Sequence, residues 1–163
     1  ERGLQNTGGD ATWVIDPIDG TANFLRGIPL WCVSLGLVYR KAPVIGLIYN
    51  PVTDELYAAR RGRGATLNNS RIKVGTVTRL SEARMGLGFS YRRPVAPHVQ
   101  AISALLEAHC DYSRLGSGAL GTALTADGRL DGSWAAPFHI WDAVSYTQLT
   151  LSTLYHIYIS GAP

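Results

Sequence analysis

Trp13-Val14-Ile15-Asp16-Pro17-Ile18-Asp19-Gly20-Thr21-Ala22-Asn23-Phe24 is the stretch that decides how the rest of the chain is read. An apolar run leads into Asp16 and predicts a buried strand over 13–15. The next residues, with Pro17, Gly20 and Asn23, are turn formers. Two carboxylates three residues apart straddle a proline, whose ring fixes φ and which has no N–H to place. Such a turn can aim Asp16, Asp19 and the Ile18 carbonyl at one point. All three are hard oxygen donors of the kind Mg²⁺ prefers. Two carboxylates held so close repel, and a cation between them removes the conflict. Gly20 permits close backbone approach. Thr21 supplies a hydroxyl, and the residues after it can open a helical turn whose N–H groups hold phosphate. The alternative is an acidic Asx turn with no metal.

Further along, strands are predicted over 31–39, 43–49 and 55–59, joined by turns at Arg40-Lys41 and 50–54. Residues 62–69 read as a loop carrying a short strand. A helix start at Leu80-Ser81-Glu82 precedes a strand over 85–89. Ile102, Leu105 and Leu106 give residues 98–109 the stripe of an amphipathic helix. A strand end is read at 113–115 and a helix of small apolar residues over 118–126, closed by Asp127-Gly128. A strand follows over 130–134, and Trp141-Asp142 opens another helix. From Ala143 to Pro163 there is no Asp, Glu, Lys or Arg. That break in composition is abrupt, and residues 144–163 are read as a non-native tail, leaving 1–143 as a partial domain.

With 163 residues, 46% hydrophobic and 17% charged, the chain has the composition of a globular protein with its own core and not of a disordered one. No apolar run reaches the roughly 20 residues that span a bilayer, and no signal peptide opens the chain. The net charge is +3 and the pI about 9.0, with the cations scattered. The densest basic run, Arg60-Arg61-Gly62-Arg63, reads as a solvated hairpin edge or, less simply, as a phosphate contact. The sequence has no aromatic–basic interleaving of the kind used to stack bases, so no nucleic-acid partner is expected. Cys32 and Cys110 have neither disulfide nor zinc spacing and read as core thiols of a reducing, cytoplasmic protein.

The motif from Trp13 to Phe24 resembles the first signature of the inositol monophosphatase family, and Phe138-His139-Ile140-Trp141-Asp142 resembles the start of its second. The resemblance covers about residues 1–143, the middle of a family domain. It implies an α+β fold, an αβαβα layered sandwich of the sugar-phosphatase type, incomplete at both ends. It implies magnesium-dependent hydrolysis of a phosphate monoester on a small sugar or polyol, with fructose bisphosphate, histidinol phosphate or a 3′-phosphonucleotide as alternative substrates. A non-catalytic protein acting through a partner is the alternative outside that class. The implied metal set is Asp16, Ile18, Asp19, Asp142 and Glu1. Glu1 matches the second member of a Glu pair whose first is a ligand in the family. Asp19 and Thr21 are the implied catalytic residues, and Gly20, Thr21 and Ser117 the implied substrate contacts. Ser117, in Arg114-Leu115-Gly116-Ser117-Gly118, is equally a helix N-cap. The family's sugar-contacting Glu is Ala135 here, which leaves the inositol-phosphate phosphatase-like expectation open as to the sugar. Asp131 is read as structural, and His139 as a carboxylate partner or a core histidine. No membrane partner is expected, and a homodimer is the assembly considered for the full-length protein.

Overall fold

The computed structural model describes residues 10–90 and 94–134. The expectations placed on Glu1, Ala135, His139, the Trp141-Asp142 helix start and the 144–163 tail lie outside them.

The fold is α+β, built as stacked layers. Six antiparallel strands come first in simple sequence order: β1 (Ala11–Asp19), β2 (Cys32–Tyr39), β3 (Ala42–Asn50), β4 (Glu55–Arg60), β5 (Gly64–Leu67) and β6 (Ser70–Arg71). A one-turn helix, α1 (Thr21–Phe24), sits between β1 and β2. The second sheet is parallel, in the order β8-β7-β9, with β7 Arg84–Leu87, β8 Asp111–Ser113 and β9 Gly132–Trp134. Parallel strands need crossovers. Here these are α2 (Ala96–Glu107), between β7 and β8, and α3 (Gly118–Ala126), between β8 and β9. A 3₁₀ turn, Leu80–Glu82, leads into β7.

Helix α3 is the middle layer. Its sequence, GALGTALTA, carries small side chains on nearly every position, and Ala119, Leu120, Gly121, Thr122, Ala123 and Ala126 are all buried. A helix buried all round has to lie between two surfaces. On one side it meets Cys32, Ile48, Tyr57, Ala59 and Ala65 of the large sheet. On the other, Gly121 faces Ser133 of β9 closely enough that a Cβ there would lie 3.7 Å from the serine Cβ. Alternation along β7 and β9 then sends Met85, Leu87 and Trp134 to the opposite face, where Ile102 and Leu105 of α2 close a second core with Cys110. Sheet, helix, sheet, helix is thus the order of layers among the described residues. The far face of the large sheet carries Trp13 and Ile15, 50% and 55% exposed, so the strand read as buried over 13–15 buries only Val14, at 7%, because β1 has one face to the core.

Polar groups fasten the C-terminal end of α3 to the large sheet. Asp127 accepts from the Tyr57 hydroxyl at 2.9 Å and pairs with Arg129 at 2.6 Å. Arg129 also reaches Glu55 at 2.9 Å and the Tyr57 hydroxyl. Burial, then Asp127, pushes the Tyr57 phenol well above its ordinary value. Asp131 takes the structural role read from the sequence, accepting from the Arg84 N–H at 2.8 Å.

Most elements fall where their patterns place them, and α3 matches residue for residue. The first strand does not stop at Ile15. It continues to Asp19, pairing Asp16 with Ser34 and Asp19 with Cys32, and the irregularity lies between those two pairs. Pro17 falls inside that interval, where β1 is the sheet's edge strand, the place a strand tolerates proline.

Candidate active site

The end of β1, the turn into α1 and the N-terminus of α3 meet at one point. Gly20 is the hinge. Its backbone is left-handed, with φ 92°. A Cβ there would stand 2.9 Å from the Leu30 carbonyl oxygen and 3.2 Å from the Ser117 Cβ. Only glycine fits both demands. Asn23 ties the turn to the strand–helix junction of the second sheet, donating to the Leu30 and Leu115 carbonyls at 2.6 and 2.7 Å. Gly116, at φ 80°, makes room for it, since a Cβ there would lie 2.5 Å from the Asn23 Nδ2.

Asp19 is held from three sides. Its Oδ2 accepts from the Ser117 hydroxyl at 2.6 Å and from the Ala119 backbone N–H at 2.7 Å. The Cys32 thiol lies 3.9 Å away. The carboxylate therefore rests against the first turn of α3, where free N–H groups and the helix dipole favour negative charge. Ser117 is the N-cap of that helix, accepting from Leu120 N–H at 3.1 Å, and its hydroxyl is shared between cap and carboxylate. Cys32 is fully buried. Burial first, and the Asp19 charge second, push its thiol well above the ordinary value of 9.0, so it stays protonated.

Asp16 Oδ1 accepts from the Ile18 N–H at 3.1 Å. The Asx-type turn considered from sequence is thus present, and it leaves Asp16 the second oxygen. The Thr21 hydroxyl donates to the Ile18 carbonyl at 2.9 Å. Asp16, Ile18, Asp19, Gly20, Thr21 and Ser117, singled out in sequence, are brought to one region. Glu1 and Asp142 lie outside the described residues. Among the described residues no group of three or more His, Cys, Asp or Glu gathers into a metal cluster. Sequence reading placed Asn23 in the turn without its tie to Leu115, and missed Cys32 and the Ala119 N–H as parts of this region. A lone cysteine carries no motif, and a backbone N–H has no sequence signal at all.

A strand-end acidic turn docked on a buried helix N-terminus, between an antiparallel and a parallel sheet, is the architecture of sugar-phosphatase-like α+β proteins. The chain matches the inositol monophosphatase family over residues 1–145. It is 42% identical over 135 residues to a Xylella fastidiosa protein named Nus factor SuhB, covering 82% of this chain and 49% of that one. It is 38% identical over 142 residues to the inositol-1-monophosphatase of Rhizobium meliloti, covering 85% and 53%. The fold superposes on the inositol monophosphatase of Anabaena with a TM-score of 0.84 at 36% identity, covering 91% of this chain and 60% of that one. For the Bartonella henselae extragenic suppressor protein suhB the TM-score is 0.85 at 33% identity, covering 88% and 56%. The chain belongs to the inositol monophosphatase family. It spans about half the length of these curated relatives.

Proposed function

We propose that the full-length protein hydrolyses a phosphate monoester on a small sugar or polyol, and that this chain carries the core of its Mg²⁺ site. The observation behind the reading is the anchoring of Asp19 at 2.6 and 2.7 Å by Ser117 and the Ala119 N–H. It fixes the carboxylate at the end of β1, beside Asp16 and the Ile18 carbonyl. The donor set fits the ion: Asp16, Asp19 and the Ile18 carbonyl offer oxygen only, with Asp142 and Glu1 as the proposed further ligands. Mg²⁺, when bound, lowers the pKa of a coordinated water and offsets charge on the phosphate oxygens.

The chain's own groups do the positioning. The Thr21 hydroxyl spends its proton on the Ile18 carbonyl and keeps its lone pairs, so it orients a water by accepting one of its protons. The Gly20 and Thr21 N–H groups hold phosphate oxygens, as in other turns that lead into a helix. Ser117 acts on the substrate side through Asp19. Phosphate monoester hydrolysis is among the slowest uncatalysed reactions, so alignment and electrostatics have to supply most of the barrier reduction. Asp19→Asn in the full-length protein abolishes Mg²⁺-dependent phosphate release. Undiminished release would overturn the assignment.

The relatives named Nus factor SuhB favour a second reading, in which the protein acts through macromolecular partners and turnover is secondary. A panel of sugar phosphates, bisphosphates and phosphonucleotides separates the two. Release from any of them that depends on Asp19 supports the enzyme, and none supports the partner-bound role. A cytoplasmic setting and a homodimer complete the proposal, and no helix among the described residues is long and apolar enough to cross a membrane.

A further inference from the structure

The cations that look scattered in sequence are gathered by the fold. The large sheet has two ends. One carries Asp16 and Asp19. At the other lie the β2–β3 turn with Arg40 and Lys41, the end of β4 with Arg60, and the β4–β5 turn with Arg61 and Arg63. Arg71 of β6 joins them, since a Cβ on Gly64 would lie 3.8 Å from its guanidinium. Register sets Gly64 opposite Arg60, so the two arginines flank a residue without a side chain. The acid that the sheet places at this end is Asp10, and Arg40 already pairs with it at 2.9 Å. Lys41, Arg60, Arg61, Arg63 and Arg71 are exposed and have no ion-pair partner among the described residues.

The turn chemistry supplies an independent observation. Arg40 and Lys41 are both left-handed, φ 48° and 64°. Such a two-residue hairpin favours Asn and Gly. The β5–β6 hairpin has the same conformation, φ 46° and 66°, and uses Asn68 and Asn69. Turn geometry therefore does not account for two long cationic side chains at 40–41, and conformational strain of this kind collects where function needs it.

From these we infer that the basic end of the large sheet, opposite the acidic turn, binds single-stranded nucleic acid along its phosphate backbone. The cations form a row, not a pocket. From β2 to β6 is four strand spacings, about 19 Å, comparable to the smallest single-strand footprints of about 4 nucleotides. Four of the five unpaired cations are arginines, whose planar forks match phosphate oxygens two at a time. Tyr39, 44% exposed, lies beside the row with the Arg40 guanidinium 5.3 Å from its ring centroid, a base-stacking surface next to the charges. Tyr39 adjoins Arg40 and Lys41 in the sequence, and the fold sets the other cations beside them. A membrane surface fits less well, since the row follows a narrow sheet end.

The test is fluorescence anisotropy of a labelled oligouridine of about 20 nucleotides, with an oligothymidine of the same length, on the full-length protein. Binding is expected to weaken with salt at a log–log slope of about −3, for roughly four to five phosphate contacts. Arg61→Glu and Arg63→Glu together should weaken it about tenfold or more, whereas Arg79→Glu, a cation paired with Glu82 elsewhere on the surface, should change it less than about twofold. Lys41→Gly should raise the melting temperature and weaken binding at once, a combination that a misfolded variant cannot give. Failure of either oligonucleotide to bind at low salt, equal losses from Arg79→Glu, or binding to phosphatidylserine vesicles without binding to oligonucleotide would each overturn the inference. Phosphatase activity is untouched by any of these outcomes.

Discussion

Asp19, the last residue of β1, is the residue on which the site turns. One oxygen is committed to Ser117 and the Ala119 N–H. The cost of disturbing that commitment is calculable. Ser117→Ala removes a hydrogen bond to a charged group and a helix cap together, and should destabilise the fold by about 2–4 kcal/mol, read as a fall in denaturant midpoint. It should also reduce turnover in the full-length protein, because the carboxylate loses a donor that fixes its position. A stability loss with turnover intact would restrict Ser117 to capping. Cys32, buried beside this pair, should stay unmodified by thiol reagents in the native state, since only thiolate reacts and burial holds the thiol protonated.

Among the elements, the contact between the α1 turn and the β8–α3 junction is the most demanding. Asn23 donates to Leu30 and Leu115, and Gly116 leaves it the space. Gly116→Ala would force a Cβ into that amide at a backbone φ of 80°. A loss of about 2 kcal/mol or more is expected, with both strain and overpacking contributing; an unchanged melting curve would show the junction to be slack. This coupling was not legible in the sequence. The acidic turn was, because Asp, Pro and Gly at fixed spacing constrain the backbone on their own. So was α3, whose run of small residues has few other uses. Strand β1 was read short because Pro17 signals a stop, and only the register with β2 shows the edge strand carrying the pairing on to Asp19. The basic row was invisible for a related reason: three separate stretches, 40–41, 60–63 and 71, contribute to it, and only the fold sets them side by side.

At the scale of the molecule, three core groups among the described residues are acids pushed above their ordinary values first by burial, Cys32, Tyr57 and Cys110. A group that binds its proton more tightly when folded contributes stability below its unfolded pKa and loses it as pH rises beyond. For Cys32 and Tyr57 those ordinary values are 9.0 and 10.0. The stability they contribute should therefore hold up to about pH 9 and be lost above it, so the melting temperature should fall on the alkaline side, and Cys32→Ala should make that alkaline fall shallower. A profile unaltered by the substitution would mean that other groups govern the alkaline limb. The same layering explains why the two ends of the large sheet carry different charges. The N-terminus of α3 draws a carboxylate to one end, and at the other the hairpins gather exposed cations.

The central claim is that Asp16 and Asp19 share a divalent cation. Isothermal titration of the full-length protein with Mg²⁺ tests it without reference to any substrate. Saturable binding that is lost in Asp16→Asn/Asp19→Asn, with the fold intact by circular dichroism, is the predicted result. Equal Mg²⁺ affinity in the doubly substituted protein would contradict it.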